Sequence, residues 1–222
     1  MSAGRRPPPV LARPSAQPLA DPAEVARRRA LVGSPAHAPL AGFACALRRA
    51  LPGLLVPDLD PLDGGTDARV LLLLEKPGPR VARTGFVSRD NPDGTAAATR
   101  AFLLAAGLAR EETLIWNAVP AWNGTTRVAA GELREGLARL LPLLALLPRL
   151  DTAILVGARA ARAGPLLPPG LRQIRSDHPS PQVRAAFPAR WAAIPEAWAA
   201  ARLSPAAAPD ARPPPGAGAP AR

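Results

Sequence analysis

Two histidines occur in the 222 residues, and one of them, His178, stands in the run Ser176-Asp177-His178-Pro179-Ser180-Pro181. An imidazole changes charge near neutral pH and can donate or accept a hydrogen bond, so its surroundings decide its use. A lone histidine often only caps a loop, whereas one set between an apolar run and a proline-stiffened turn is suited to act on a ligand. Asn117 follows the apolar Leu114-Ile115-Trp116 and carries a donor and an acceptor side by side on one carboxamide. Its plainer use is a turn or cap. Phe86 lies in a glycine-flanked polar loop, where a ring either meets a ligand or closes a small satellite core. Two carboxylates, Glu75 and Asp90, and the single lysine, Lys76, complete the residues able to move protons or bind anions nearby.

The elements that must position these residues follow from the punctuation of the chain. Asp21-Pro22 opens a helix through Val25 and Leu31, because proline suits a first helical turn. A second helix covers Leu40 to Ala50 and ends before Pro52. Ala68 to Leu74 is continuously apolar and is stopped by Pro77 and Gly78, the pattern of a strand buried on both faces of a parallel sheet. The same reasoning predicts strands at Thr113 to Trp116, Thr152 to Val156 and Leu171 to Ile174. Helices are predicted at Thr95 to Leu108, Glu132 to Leu147 and, briefly, Ala158 to Ala163. Phe187 to Arg202 reads as the closing helix, with Trp191, Ile194 and Trp198 at spacings of three and four. Strands alternating with helices predict an α/β fold, a three-layer αβα sandwich around a central, mainly parallel, four-stranded sheet. One domain is expected at residues 21–203, between proline-, alanine- and arginine-rich tails at 1–20 and 204–222 expected to be disordered. Ligands of such sheets bind beyond the carboxyl ends of the strands. The segments there are Glu75 to Pro79, Asn117 to Pro120, Gly157 to Arg159 and Ser176 to Pro181.

The succession EKPGPR (Glu75 to Arg80), TGFVSRDN (Thr84 to Asn91), WNAVP (Trp116 to Pro120) and HPSPQ (His178 to Gln182) resembles the uracil-DNA glycosylase superfamily over residues from about 68 to 200. HPSP after the last strand, paired with a proline-glycine loop after the first, is the specific part. The resemblance implies a base flipped out of the stack and into a pocket. It makes Phe86 the ring on which the base stacks, a contact of about 1–3 kcal/mol. It makes Asn117 the amide that reads N3–H and O4 of uracil, a pattern that cytosine reverses. His178 becomes the donor to the base O2 as negative charge develops there. Pro77, Gly78 and Ser180 would complete the substrate pocket.

The departures from the family pattern carry further expectations. The water-positioning place before the first loop's proline holds Lys76, whose ammonium cannot accept a hydrogen bond. Glu75 precedes it, and Asp90, on the loop of the stacking ring, is preferred to Glu75 as water activator. Gly78 stands where the best-known branch has a tyrosine that excludes thymine, which leaves room for other deaminated bases. Gln182 occupies the place of an apolar wedge, with Val183 or Arg184 able to contribute. Lys76, Gln182 and Arg184 are the expected DNA contacts.

Composition bounds the rest. A net charge of +11, with every basic residue but Lys76 an arginine, suits a polyanionic partner, although coding bias toward arginine gives the same charge. The one cysteine, Cys45, lies in an apolar run and is expected to be buried. A lone thiol excludes an internal disulfide and any four-cysteine zinc or iron–sulfur site, which points to a branch without a cluster, with no metal or cofactor. Prolines follow Arg5 and Arg6 where an apolar signal core would stand, and no apolar run reaches the roughly 18 residues of a membrane span. A cytoplasmic monomer off the membrane is therefore expected. The leading functional expectation is hydrolysis of the N-glycosidic bond of uracil, or another deaminated base, in DNA. The alternatives are a catalytically inactive uracil-DNA-binding module and, ranked last for want of a Walker-type loop, a nucleotide hydrolase.

Overall fold

The computed structural model describes residues 17–203. Helices α1 (Pro22–Leu31) and α2 (Ala38–Ala50) lead into strands β1 (Asp58–Leu59) and β2 (Val70–Leu74). They are followed by α3 (Val81–Thr84), β3 (Phe86–Val87), α4 (Gly94–Ala105) and β4 (Thr113–Asn117). Next come α5 (Ala130–Ala138), α6 (Leu140–Leu144), β5 (Thr152–Val156) and β6 (Arg172–Ser176), and α7 (Pro181–Ala186), α8 (Pro188–Ala192) and α9 (Ile194–Ala199) close the domain.

Four strands form one parallel sheet in the order β4-β2-β5-β6. Val70 to Leu73 of the central β2 are wholly buried, which is why that strand is apolar at every position. Helices flank the sheet. On β4, Trp116 turns to α2, where Phe43 meets it edge-on with ring centroids 5.6 Å apart. Ile115 and Asn117 point the other way, as alternation along a strand requires. Phe102 of α4 sits edge-on to Trp191 and Trp198, at 4.6 and 6.0 Å, and ties the last helices to α4. The chain leaves β2 for β4 on one flank and then crosses to β5 on the other, so strand order reverses at β2.

Several expected boundaries move for physical reasons. The helix expected from Glu132 to Leu147 breaks at Arg139 into α5 and α6. Pro142 has no N–H to offer the carbonyl one turn earlier. The closing helix is likewise divided into α8, α9 and a 3-10 turn, with Pro195 in the first turn of α9. Ala158 to Ala163 is replaced by a 3-10 helix at Ala160–Leu166. The last strand runs from Arg172 to Ser176, a polar edge whose pattern of exposure hides it from a search for apolar runs. Cys45 is exposed, not buried: α2 turns Leu40, Phe43, Ala44 and Leu47 inward and leaves the thiol on its outer face. Of the expected N-terminal tail, Pro18–Ala20 form a 3-10 turn that buries Leu19, while 1–16 and the tail at 204–222 lie outside the described residues.

Under the segment that follows β3 lies a buried ionic cluster. Arg28 of α1 donates to Asp60 and to Asp90, the latter at 2.7 Å, and Arg110 donates to the same two carboxylates at 2.8 and 2.7 Å. Asp63 sits 3.1 Å from Arg110 and 3.2 Å from Arg89. Burial of charge is tolerable only with such pairing. The cluster fixes residues 88–91 to the body of the domain.

Candidate active site

A cavity of about 670 Å³ opens beyond the carboxyl ends of the strands. The loops after β2, β4, β5 and β6 form its walls, together with residues 87–89, Asn91, Asp93 and the first turns of α4. Two backbone bonds lock the first two loops together: the amide of Ala118 donates to Leu74 at 2.8 Å, and that of Val119 to Glu75 at 2.9 Å. Gly136 of α5 lies against the Ala118 carbonyl with no room for a side chain, so α5 props the same loop from behind.

Asn117 ends β4 on the cavity wall and is buried. Among the described residues its carboxamide has no hydrogen-bond partner. His178 lines the same cavity, and its Cβ and Cδ2 lie 3.5 and 3.6 Å from where a side chain on Gly157 would begin. Gly157 has φ of +88°, a conformation that suits glycine, and its bare backbone lets the imidazole lie against the end of β5. Burial holds His178 below the ordinary histidine range, against the opposing pull of Glu75 and Asp93. A neutral ring at physiological pH has one N–H to donate. Pro77, Gly78 and Ser180 also line the cavity. Ser180 caps α7 by accepting from the Val183 amide at 3.3 Å, and Gly78 faces open space.

Other expected residues stand elsewhere. Phe86 is wholly buried in a satellite core with Leu19 and Val25 and is not on the cavity wall; the second of its two sequence readings is the one realised. Among the described residues, no aromatic ring but that of His178 lines the cavity. Asp90 is also off the wall, held by Arg28 and Arg110 in the ionic cluster. Although burial opposes ionisation, the two arginines keep its carboxyl below the usual range. It is thus unavailable to a water in the cavity. Lys76 reaches the wall, but its ammonium donates to Asn123 at 2.8 Å, to the Arg127 carbonyl at 3.0 Å and to Glu132 at 2.6 Å. All three of its donors are engaged within the chain, so Lys76 anchors the 123–132 segment and does not serve as a phosphate contact. Arg184 is off the wall, stacked over Trp191 at 5.0 Å, whereas Gln182 is on it and exposed.

Two carboxylates do line the cavity. Glu75 accepts from Arg159, so its charge is already partnered. Asp93 was missed in the sequence. Its Oδ1 accepts from the Ala96 amide at 2.9 Å and caps α4, while Oδ2 has no partner among the described residues. The signal existed: an aspartate three residues before Ala96, at the mouth of a helical run, is an N-cap pattern. Among the described residues no cluster of three His, Cys, Asp or Glu side chains is placed to hold a metal ion. No helix there is long and apolar enough to cross a membrane.

The family model described as the uracil DNA glycosylase superfamily matches residues 61–202, well over half of the chain. The chain belongs to the uracil-DNA glycosylase superfamily. No curated protein matches it. The match covers all the residues that line this cavity and places the domain among glycosylase-type hydrolases that act on DNA bases. It begins after α1 and α2, yet Arg28 of α1 reaches into the matched region to hold Asp90, and holds Asp60 just ahead of it.

Proposed function

We propose that the domain hydrolyses the N-glycosidic bond of uracil, or of another deaminated base, flipped from DNA into this cavity, with water as the nucleophile. The observation that supports it is the pairing, on the walls of one cavity, of an unengaged buried carboxamide at Asn117 with a neutral imidazole at His178. A carboxamide fixed at the end of a strand offers its oxygen to N3–H and its NH₂ to O4 of uracil, and leaves unpaired polar groups against cytosine. Pro77, Val87 and Ile115 supply aliphatic walls for the base in place of an aromatic platform.

In the reaction, the water oxygen bonds to the sugar C1′ as the C1′–N bond breaks, and the bonding pair leaves with the base. Negative charge grows on the base O2, toward which the N–H of His178 donates. The water's proton passes to a wall carboxylate. Asp93 is the better placed of the two, because Oδ2 is unpartnered and Glu75 is shared with Arg159. The products are free base and an intact strand with an abasic sugar. The same reading takes the protein to be a cytoplasmic monomer that needs no cofactor.

The test is base release from uracil-, hypoxanthine-, xanthine- and thymine-containing oligonucleotides. Uracil release is expected, and His178→Ala or Asn117→Ala should each lower the single-turnover rate by about 10²–10³-fold, as for removal of a transition-state donor. Tight binding of uracil-DNA without release, on long incubation, would favour the inactive-module reading instead.

A further inference from the structure

Beyond the rim of the cavity the fold presents an aromatic ring that packing does not require. Phe187 is 50% exposed, unlike the other three phenylalanines of the chain, which are buried. It ends α7: its amide donates to the Val183 carbonyl at 2.8 Å, and Val183 is a wall of the cavity. The ring therefore stands one helical turn from the wall, about 6 Å along the axis. Successive nucleotides of a stacked strand are about 3.4 Å apart, so this is a reach of one or two nucleotides.

The charge around the ring is matched to a polyanion. The guanidinium of Arg190 lies over Phe187 at 4.9 Å, and that of Arg184, exposed, lies over Trp191 at 5.0 Å. Asp177 is the carboxylate paired with Arg190, at 2.5 and 3.1 Å. Arg80 and Arg159 also line the cavity, the latter paired with Glu75. An exposed ring beside stacked arginines, continuous with a cavity wall, has the composition of a surface that holds single-stranded nucleic acid by stacking and by phosphate contact.

We infer that Phe187, flanked by Arg184 and Arg190, stacks an unpaired base one or two nucleotides from the flipped one, and that the domain therefore engages single-stranded DNA beyond its cavity. In a duplex the neighbouring bases are already stacked and paired, so the ring gains less there. This rests on the proposed action on DNA, but it concerns binding of the flanking strand and is measured without base release.

The experiment is titration of labelled, uracil-free oligonucleotides, single-stranded and duplex, with the full chain and with Phe187→Ala and Phe187→Trp. Phe187→Ala should weaken single-strand binding by about 5- to 100-fold, the loss expected for one base–aromatic stack. Duplex affinity should fall less, and Phe187→Trp should restore the single-strand value. Because the ring is half exposed, the thermal midpoint of both variants should stay with the wild type. Unchanged single-strand affinity in Phe187→Ala, equal losses on both forms of DNA, or failure of tryptophan to restore binding would each overturn the inference. So would a dimer that dissociates on the substitution, which would make the patch a self-association surface. Failure of the wild type to release any base would sink the glycosylase reading and leave this comparison still able to decide its own question.

Discussion

Three carboxylates within a short reach of the cavity differ chiefly in what already holds them. Asp90 is gripped by Arg28 and Arg110, Glu75 is shared with Arg159, and Asp93 spends one oxygen on a helix cap and keeps the other free. Asparagine caps a helix as well as aspartate does, so Asp93→Asn removes the charge and keeps the cap. It should lower single-turnover base release by about 10²–10⁴-fold, the range for a general base, with the thermal midpoint held. Asp90→Asn should do the reverse. It leaves the buried guanidinium of Arg28 and the partly buried one of Arg110 short of a carboxylate, which costs about 3 kcal/mol in urea unfolding, whereas the proposed chemistry does not pass through that side chain. The places of His178 and Asn117 on the cavity wall were legible in the sequence because both stand at strand ends, where a parallel sheet delivers side chains to a ligand. Phe86 was not, because a ring in a glycine-flanked loop looks alike whether it faces a ligand or a pocket of Leu19 and Val25. Asp90 and Asp93 are three residues apart, and only the cap on α4 tells which one turns to the cavity.

At the scale of elements, the cavity depends on glycines where the backbone must come close. Gly157 ends β5 with positive φ against the His178 ring. Gly157→Ala should cost about 1–3 kcal/mol, through a left-handed residue carrying a side chain, and should slow base release by displacing the imidazole. Chemical denaturation and single-turnover kinetics on the same variant report the two effects separately. Strands β2, β4 and β5 were readable because burial on both faces leaves each a mainly apolar run with a breaker soon after its end. The two-residue pair of β1 and β3 was not, since Asp58↔Phe86 and Leu59↔Val87 form no pattern a sequence can display. The kinks at Pro142 and Pro195 were present in the letters. Continuous apolar spacing on either side of each outweighed the missing donor in the reading of long helices.

For the whole molecule, acid and base act on the buried ionic cluster in opposite senses. Burial pushes Asp63 up from 3.8 to about 7, with Arg89 and Arg110 opposing. An unfolded chain loses that proton near 3.8, so between there and about 7 the folded state is the one that retains it. Stability from this residue is therefore greatest below that window and declines as pH rises through it. Asp90, held low by its arginines, contributes the other way and loses its contribution on acidification. Asp63→Asn should flatten the stability profile across that window, measured as urea midpoints from pH 4 to pH 8, and should leave the acid limb due to Asp90 in place. The arginine-rich composition has a different consequence for what the protein can leave behind. Its one lysine, Lys76, is held by three acceptors. No lysine side chain is free to condense with the ring-opened aldehyde of an abasic sugar. On the proposed reading the strand is thus left uncut at the vacated sugar, and borohydride should trap no adduct through Lys76.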